Sequence, residues 1–260
     1  MLINLTGKVI IVTGAAAGIG RGLVERFARE GSVCVAIDRD AHALSELETV
    51  LRREGLEVHP VACDVTNKEH IQQTITTVSD MHGHIDVLIN NAGVFSAGTV
   101  EELSEADWDK NFAVNAKGTF LMSQAVIPAM KAQKWGRIIN AASFAALIPS
   151  IATAAYAASK GSVGLLTRVM AGELGPWNIT VNAYAPGMVP TGMNNFDTRS
   201  PAEQAKLLDL LSIRRWETVE DVANLLCFLA SDQAGYITGT LIDVSGGKLA
   251  TQIPSDAYQS

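Results

Sequence analysis

The stretch Lys8-Val9-Ile10-Ile11-Val12-Thr13-Gly14-Ala15-Ala16-Ala17-Gly18-Ile19-Gly20 decides the fold. Its first five residues are a β-branched run that reads as a short strand, and Thr13 to Gly20 is a glycine-rich turn. Arg21 to Glu30 then carries Leu23, Val24 and Phe27 at helical spacing. Glycines at 14, 18 and 20 permit tight turning and let a phosphate approach the amides at the helix start, where the dipole favours negative charge. A plain strand-to-helix turn competes with this reading; the strand before and the helix after favour a cofactor loop.

Working outward, Ser32 to Ile37 is a second buried strand that ends in Asp38. A carboxylate there accepts hydrogen bonds from the ribose hydroxyls of NAD and repels the extra phosphate of NADP. Arg39 next door is a cation that a phosphate could use, but Ala17 before Gly18 offers no second one, so NAD is expected over NADP. Asp38 also suits an N-cap for a helix over 41–54. Glu57 to Cys63 leads into Asp64-Val65 and a helix over Lys68–Met81; Asp64 fits either a cap or the adenine amino group, and spacing does not rank the two. His82 and His84 have no accompanying ligand cluster, so they read as a solvated helix end and not as a metal site. The fourth strand, Ile85 to Ile89, ends in Asn90-Asn91-Ala92-Gly93, whose amides suit a groove-lining sheet edge and bonds to neighbouring strands. A helix over about Glu105–Asn115 is interrupted at Asn115-Ala116-Lys117-Gly118 before the apolar segment Phe120–Met130. Asn115 is either a kink-stabilising amide or the holder of an active-site water, and alone it favours the structural use.

Gly136 to Ala142 is the fifth strand, with Ser143 at its end. Ala155 to Leu174 reads as a helix stopped by Pro176, which sets Tyr156 and Lys160 one turn apart on the same face. An unperturbed tyrosine, with a pKa near ~10, is a poor base at neutral pH, and a neighbouring ammonium should lower it. The pair therefore reads as a tuned acid/base group, with the Ser143 hydroxyl in reach of the same oxygen. Ordinary helices also carry Tyr-x-x-x-Lys, so the assignment depends on the other motifs. Ile179 to Tyr184 is the sixth strand, closing in Pro186-Gly187. Residues 188–215, with one short helix over about Pro201–Leu211, have the loose composition of a substrate lid. Glu220 to Ala230 is an amphipathic helix, Thr240 to Val244 a last strand, and 248–260 a polar tail. Strands alternating with helices imply an α/β fold: one domain over 1–260 with a doubly wound, Rossmann-like parallel sheet of about seven strands and helices on both faces.

Bulk properties fit. The chain has 260 residues, 48% hydrophobic and 18% charged, with a net charge of −7. That balance opposes a nucleic-acid or anionic-membrane partner. No apolar run is long enough for a membrane span and the N-terminal residues lack signal-peptide character, so a cytoplasmic protein is expected. Cys34, Cys63 and Cys227 have no metal-like spacing and read as buried thiols.

Together, Thr13–Gly20, Asp64-Val65, Asn90–Gly93, Asn115, Ser143, Tyr156-Ala157-Ala158-Ser159-Lys160 and Pro186-Gly187-Met188-Val189-Pro190-Thr191 resemble the short-chain dehydrogenase/reductase family in order and spacing. The resemblance implies that Tyr156 is the general acid/base, that Ser143 polarises the substrate oxygen, that Lys160 binds the nicotinamide ribose and lowers the tyrosine pKa, and that Asn115 holds a relay water. It also implies a coenzyme cleft lined by Gly14, Ala17, Gly18, Ile19, Gly20, Asp38, Arg39, Asp64, Val65, Asn91, Ala92 and Gly93. Pro186, Gly187, Val189 and Thr191 join Tyr156 and Lys160 on its nicotinamide side. A homotetramer is implied as well. Ala142 stands where many members carry a second serine.

For the substrate, Ser143, Tyr156, Ala145, Leu147, Thr153, Met188, Met193 and Phe196 offer a mostly apolar lining with no evident anion anchor. The expected reaction is NAD-dependent interconversion of a neutral secondary alcohol, such as a polyol, sugar alcohol or vicinal diol, and its ketone. The alternatives are an NADPH-dependent 3-oxoacyl-acyl-carrier-protein reductase and a non-catalytic coenzyme sensor. Asp38 opposes the first, as does Gly172 where an arginine for an acidic carrier is expected. The complete set of four catalytic residues opposes the second.

Overall fold

The computed structural model describes residues 3–192 and 198–258. Its centre is β1 (Val9–Thr13), whose alternate side chains serve two cores. Ile10 and Val12 face one hydrophobic cluster, and Val9 and Ile11 face the other. That period-2 split on a strand with both faces buried explains the unbroken apolar run. Beside it lie β2 (Val33–Asp38), β3 (Val58–Ala62), β4 (Val87–Asn90), β5 (Gly136–Ala141), β6 (Ile179–Pro186) and β7 (Leu241–Val244) in the order β3-β2-β1-β4-β5-β6-β7. Every pairing is parallel. Pro60, which lacks a backbone donor, sits in β3 at the edge, where that is tolerated.

Helices cover both faces. On the Ile10 side pack α1 (Gly18–Arg29), α2 (Ala41–Arg53) and α8 (Val219–Ala230), through residues such as Phe27, Leu47 and Leu226. On the Val9 side pack α3 (Lys68–His82), α5 (Thr119–Gln133) and α6 (Ala154–Leu174), through Ile75, Val126 and Met170. The remaining helices are α4 (Glu105–Asn111), ahead of α5, and α7 (Pro201–Leu208), ahead of α8. The expected doubly wound sheet of seven strands is present. Because β1 is flanked by β2 on one side and β4 on the other, the winding reverses there. The crevice at the carboxyl ends of β1 and β4 is where such folds bind ligands.

Local details refine the sequence reading. The interruption at Asn115 is a π-helical turn, Phe112–Gly118, that joins α4 to α5. The cap of α2 is Asp40, which accepts from Ala43 N at 3.0 Å, and the cap of α3 is Asn67, which accepts from His70 N at 3.0 Å. Neither Asp38 nor Asp64 therefore has that duty. His82 is less solvated than expected: it packs edge-on against His59 with ring centroids 5.0 Å apart, while His84 approaches Asp86 at 3.1 Å. Among the described residues no group of His, Cys, Asp or Glu is arranged to hold a metal ion, and no helix is long and apolar enough to cross a membrane. The tail reaches back, with the Tyr258 hydroxyl donating to Ser212 O at 2.7 Å.

Candidate active site

The glycine loop forms the floor of the cleft. Gly14 has φ +66°, and a Cβ there would lie 2.8 Å from Ala92 Cα; a Cβ on Gly20 would lie 2.0 Å from Gly14 O. The loop therefore presses against the β4 terminus with no room for a side chain, leaving its backbone open to a phosphate. At the start of α1 no side chain caps the amides and no acidic residue occupies the first turn. An anion fits that end.

Asp38 closes the same loop. One of its oxygens accepts from Ala16 N at 3.1 Å and the other from Asp40 N at 3.1 Å. The carboxylate is thereby held at the cleft with acceptor capacity left for ribose hydroxyls. This donor and acceptor set fits a nicotinamide dinucleotide. Asn91 ties three strands together at the cleft floor: its amide donates to Thr13 O at 3.0 Å and its oxygen accepts from the Tyr184 hydroxyl at 3.1 Å. Asn90 bonds Asn140 at 2.9 Å, as the reading of these amides expects.

The reacting end is built by β5, α6 and β6. Ser143 caps a short turn, its Oγ accepting from Ala145 N at 3.1 Å, and its hydroxyl also hydrogen-bonds Tyr156. The Phe95 ring stands edge-on to Tyr156 with centroids 5.2 Å apart. Lys160 is buried and donates to Ala141 O at 2.7 Å, beside Gly93. Burial pulls its ammonium down to about 8. Burial pushes the Tyr156 phenol up, opposed by the Ser143 hydrogen bond. The expected lowering of Tyr156 by Lys160 is thus reversed. Desolvation of the phenol is the larger effect, and the Lys160 ammonium is directed at the Ala141 carbonyl.

Asn115 is fully buried and its side chain is spent on structure. Its Oδ1 accepts from Val94 N at 2.8 Å, and its Nδ2 donates to Val94 O at 3.0 Å and to Ser159 Oγ at 2.9 Å. Ser159 in turn donates to Tyr156 O at 2.8 Å. The amide therefore ties the start of α6 to the segment that follows β4.

The cleft brings together Gly14, Ala17, Gly18, Ile19, Asp38, Asn91, Ala92, Gly93, Tyr156, Lys160, Pro186 and Thr191 from the residues read in the sequence, and adds Ala141, Ala142, Tyr184 and Gly192. Gly20, Arg39, Asp64, Val65, Gly187 and Val189 are not on its wall. Gly20 and Gly187 pack behind it, against Gly14 and Ser245; Val189 is buried; Val65 packs beside Gly118. Asp64 accepts from Thr66 N and Oγ1, each at 2.8 Å, and Arg39 lies near enough to lower it further. On the substrate side, Ala145 and Leu147 follow Ser143 in the turn and the Met188 carbonyl faces Glu217 N. Met193 and Phe196 lie outside the described residues. Sequence reading missed Phe95, Tyr184, Glu217 and Lys248. The first two stand within two residues of motifs that were read, whereas Glu217 and Lys248 carry no local signal.

A dinucleotide cradle ending at a paired tyrosine, serine and lysine defines an oxidoreductase. Residues 8–201 match the short chain dehydrogenase family, and the chain belongs to that family. It is 38% identical over 246 residues to 3-oxoacyl-[acyl-carrier-protein] reductase FabG of Thermotoga maritima, covering 94% of this chain and 98% of that protein. Over 247 residues it is 34% identical to cyclopentanol dehydrogenase of Comamonas sp., covering 95% and 99%. A solved structure provisionally described as NAD(P)-dependent gluconate 5-dehydrogenase from Beutenbergia cavernae, with NADP bound at low occupancy, superposes with a TM-score of 0.90. It is 33% identical, covering 96% of this chain and 99% of that one.

Proposed function

We propose that the protein is an NAD-preferring dehydrogenase that interconverts a neutral secondary alcohol, of the polyol, sugar alcohol or vicinal diol type, and its ketone. The observation that carries the coenzyme choice is the Asp38 carboxylate pinned to Ala16 N at 3.1 Å, where a 2′-phosphate would meet fixed negative charge. When bound, the coenzyme supplies the hydride acceptor. Tyr156 takes the carbinol proton, and Ser143 donates to the oxygen on which negative charge develops, an interaction strongest in the transition state. Lys160 holds the ribose side of the cleft and, through Ala141 O, the end of β5. The described parts of the lid, 188–192 and 198–215, lie on the substrate side of this reading.

The α6 face bearing exposed Leu165 and Val169 supports assembly into a homotetramer. The three buried free thiols support a cytoplasmic setting. Reduction of NAD and NADP in parallel, followed by absorbance across a panel of secondary alcohols and polyols, tests the proposal. Turnover with NAD and a neutral diol or polyol supports it; turnover only with NADPH and a 3-oxoacyl thioester overturns it. That second reading is favoured by the FabG similarity and by Lys248, whose ammonium lies 4.7 Å from the centre of the Phe144 ring, next to Ser143.

A further inference from the structure

Glu217 lies behind the cleft wall and has no part in the chemistry above, yet only 7% of it is exposed. Its Oε2 accepts from Gly187 N at 2.6 Å, and its own N–H donates to Met188 O at 3.3 Å. Side chain and backbone thus both grip the loop that enters the cleft through Pro186, Thr191 and Gly192. Its other oxygen, Oε1, is buried with no hydrogen-bond partner. A buried carboxyl with half its capacity unmet is costly and calls for a reason.

The charges facing it work against ionisation. Asp221 of α8 and Asp243 of β7 repel a carboxylate there, and Arg215, the attractive neighbour, is engaged by Asp221 through two contacts of 2.7 Å. Across β6 the Tyr184 phenol is pushed up chiefly by burial, with Tyr156 and Glu217 both adding to it, which puts Glu217 one side chain from the reacting end. Burial, opposed by the Gly187 amide, pushes the carboxyl up to about 8. The cation this pocket has, Arg215, is shared with Asp221. The nicotinamide ring is a cation when oxidised and neutral when reduced, and it must lie at the Tyr156 end because hydride and proton leave adjacent atoms of one carbinol.

We propose that Glu217 is a positioning residue that selects the oxidised coenzyme, its carboxylate facing the positive ring across the Gly187 backbone and losing that partner when the ring is reduced. Binding of the oxidised form draws a proton off Glu217, and by linkage the carboxylate tightens that form alone. Reduced coenzyme then leaves more readily, which suits alcohol oxidation. The inference rests on the cleft as a nicotinamide dinucleotide site and is indifferent to the choice between NAD and NADP, so both pairs serve as probes.

The test is calorimetric titration at pH 7, in two buffers of different ionisation heat, of wild type and Glu217→Gln with oxidised coenzyme, reduced coenzyme and ADP-ribose, which lacks the ring. Glutamine keeps the acceptor for Gly187 N. The variant is expected to bind the oxidised form roughly tenfold more weakly, as a charge pair across one backbone layer implies. Reduced coenzyme and ADP-ribose should change less than twofold, and fewer protons should be released with the oxidised form. Equal weakening of both forms, or proton release untouched by the substitution, overturns the inference. If wild type fails to bind ADP-ribose, the cleft reading falls and takes this one with it. Should the variant not fold, infrared spectra of wild type decide: the protonated-carboxyl band is lost with oxidised coenzyme and kept with reduced, and a band unaffected by either overturns the inference.

Discussion

The two halves of the cleft hold a ligand by different physics. On the β1–β2 side the contacts are backbone amides of a glycine loop and one carboxylate, Asp38, already held by two amides. On the β5–β6 side, burial moves the ionisation of Lys160, Tyr156, Tyr184 and Glu217, each of them away from its charged form. The first half is shaped to bind, and its geometry is complete in the protein alone. In the second, burial weighs against the charged form of each of these groups, so their ionisation depends on what lies beside them. The halves should therefore fail differently when altered.

The largest effect belongs to the second half. Tyr156→Phe removes the proton acceptor while keeping the ring against Phe95, so turnover should fall by about 10³-fold or more with ADP-ribose affinity unchanged. Steady-state rates together with binding titrations check both parts. Residual turnover above one part in ~10² would mean that another group carries the proton.

The next effect belongs to the first half, where space and not charge is the limit. Gly20→Ala would put a Cβ 2.0 Å from the Gly14 carbonyl oxygen, a backbone atom that has no freedom to yield. Thermal unfolding should show a loss of about 2–4 kcal/mol, and dinucleotide affinity should fall with it. Normal stability would show that the loop is looser than the packing at Asn91 and Ala92 indicates. Asp38→Ser comes next: loss of the charged acceptor should shift the NAD-to-NADP preference by about 10- to 100-fold in favour of NADP. Specificity constants for the two coenzymes check it, and an unchanged ratio would remove the argument for NAD.

The same division explains what was legible in the sequence. Binding by glycine turns and strand ends is local, so Gly14, Gly18, Asp38 and Asn91 were readable from spacing, as were the strands whose alternate residues feed two cores. Tyr156 and Lys160 were readable as a pair because four residues make one helical turn. The sense of the Tyr156 shift was not, because it depends on how much solvent α6 loses against β5, a tertiary quantity. Asn115 was ambiguous for a similar reason: only the fold shows that Val94 and Ser159 consume its amide. Glu217 left no trace, since it acts on a loop 30 residues earlier in the chain.

The smallest effect separates two buried groups on the same side of the cleft through stability in the absence of ligand. The Glu217 carboxyl, ordinarily near 4.5 and pushed up to about 8, binds a proton more tightly in the folded chain. Its stabilising contribution is therefore complete below about 4.5 and is lost as pH rises through about 8. Lys160, ordinarily near 10.5 and pulled down to about 8, acts in the opposite sense: the unfolded chain holds its proton between those values, so stability is regained as pH climbs from about 8 toward 10.5. Together they give wild type a minimum in melting temperature near pH 8. Glu217→Gln should abolish the fall between pH 5 and 8 and leave the rise above it, a difference of about 5 °C at pH 8 if roughly 2 kcal/mol of the shift survives relaxation around the buried groups. A melting profile that descends in both proteins, or in neither, would mean that Glu217 reaches solvent as pH rises, and the contrast between a pre-shaped binding half and a charge-poised reacting half would then rest on Tyr156 and Lys160 alone.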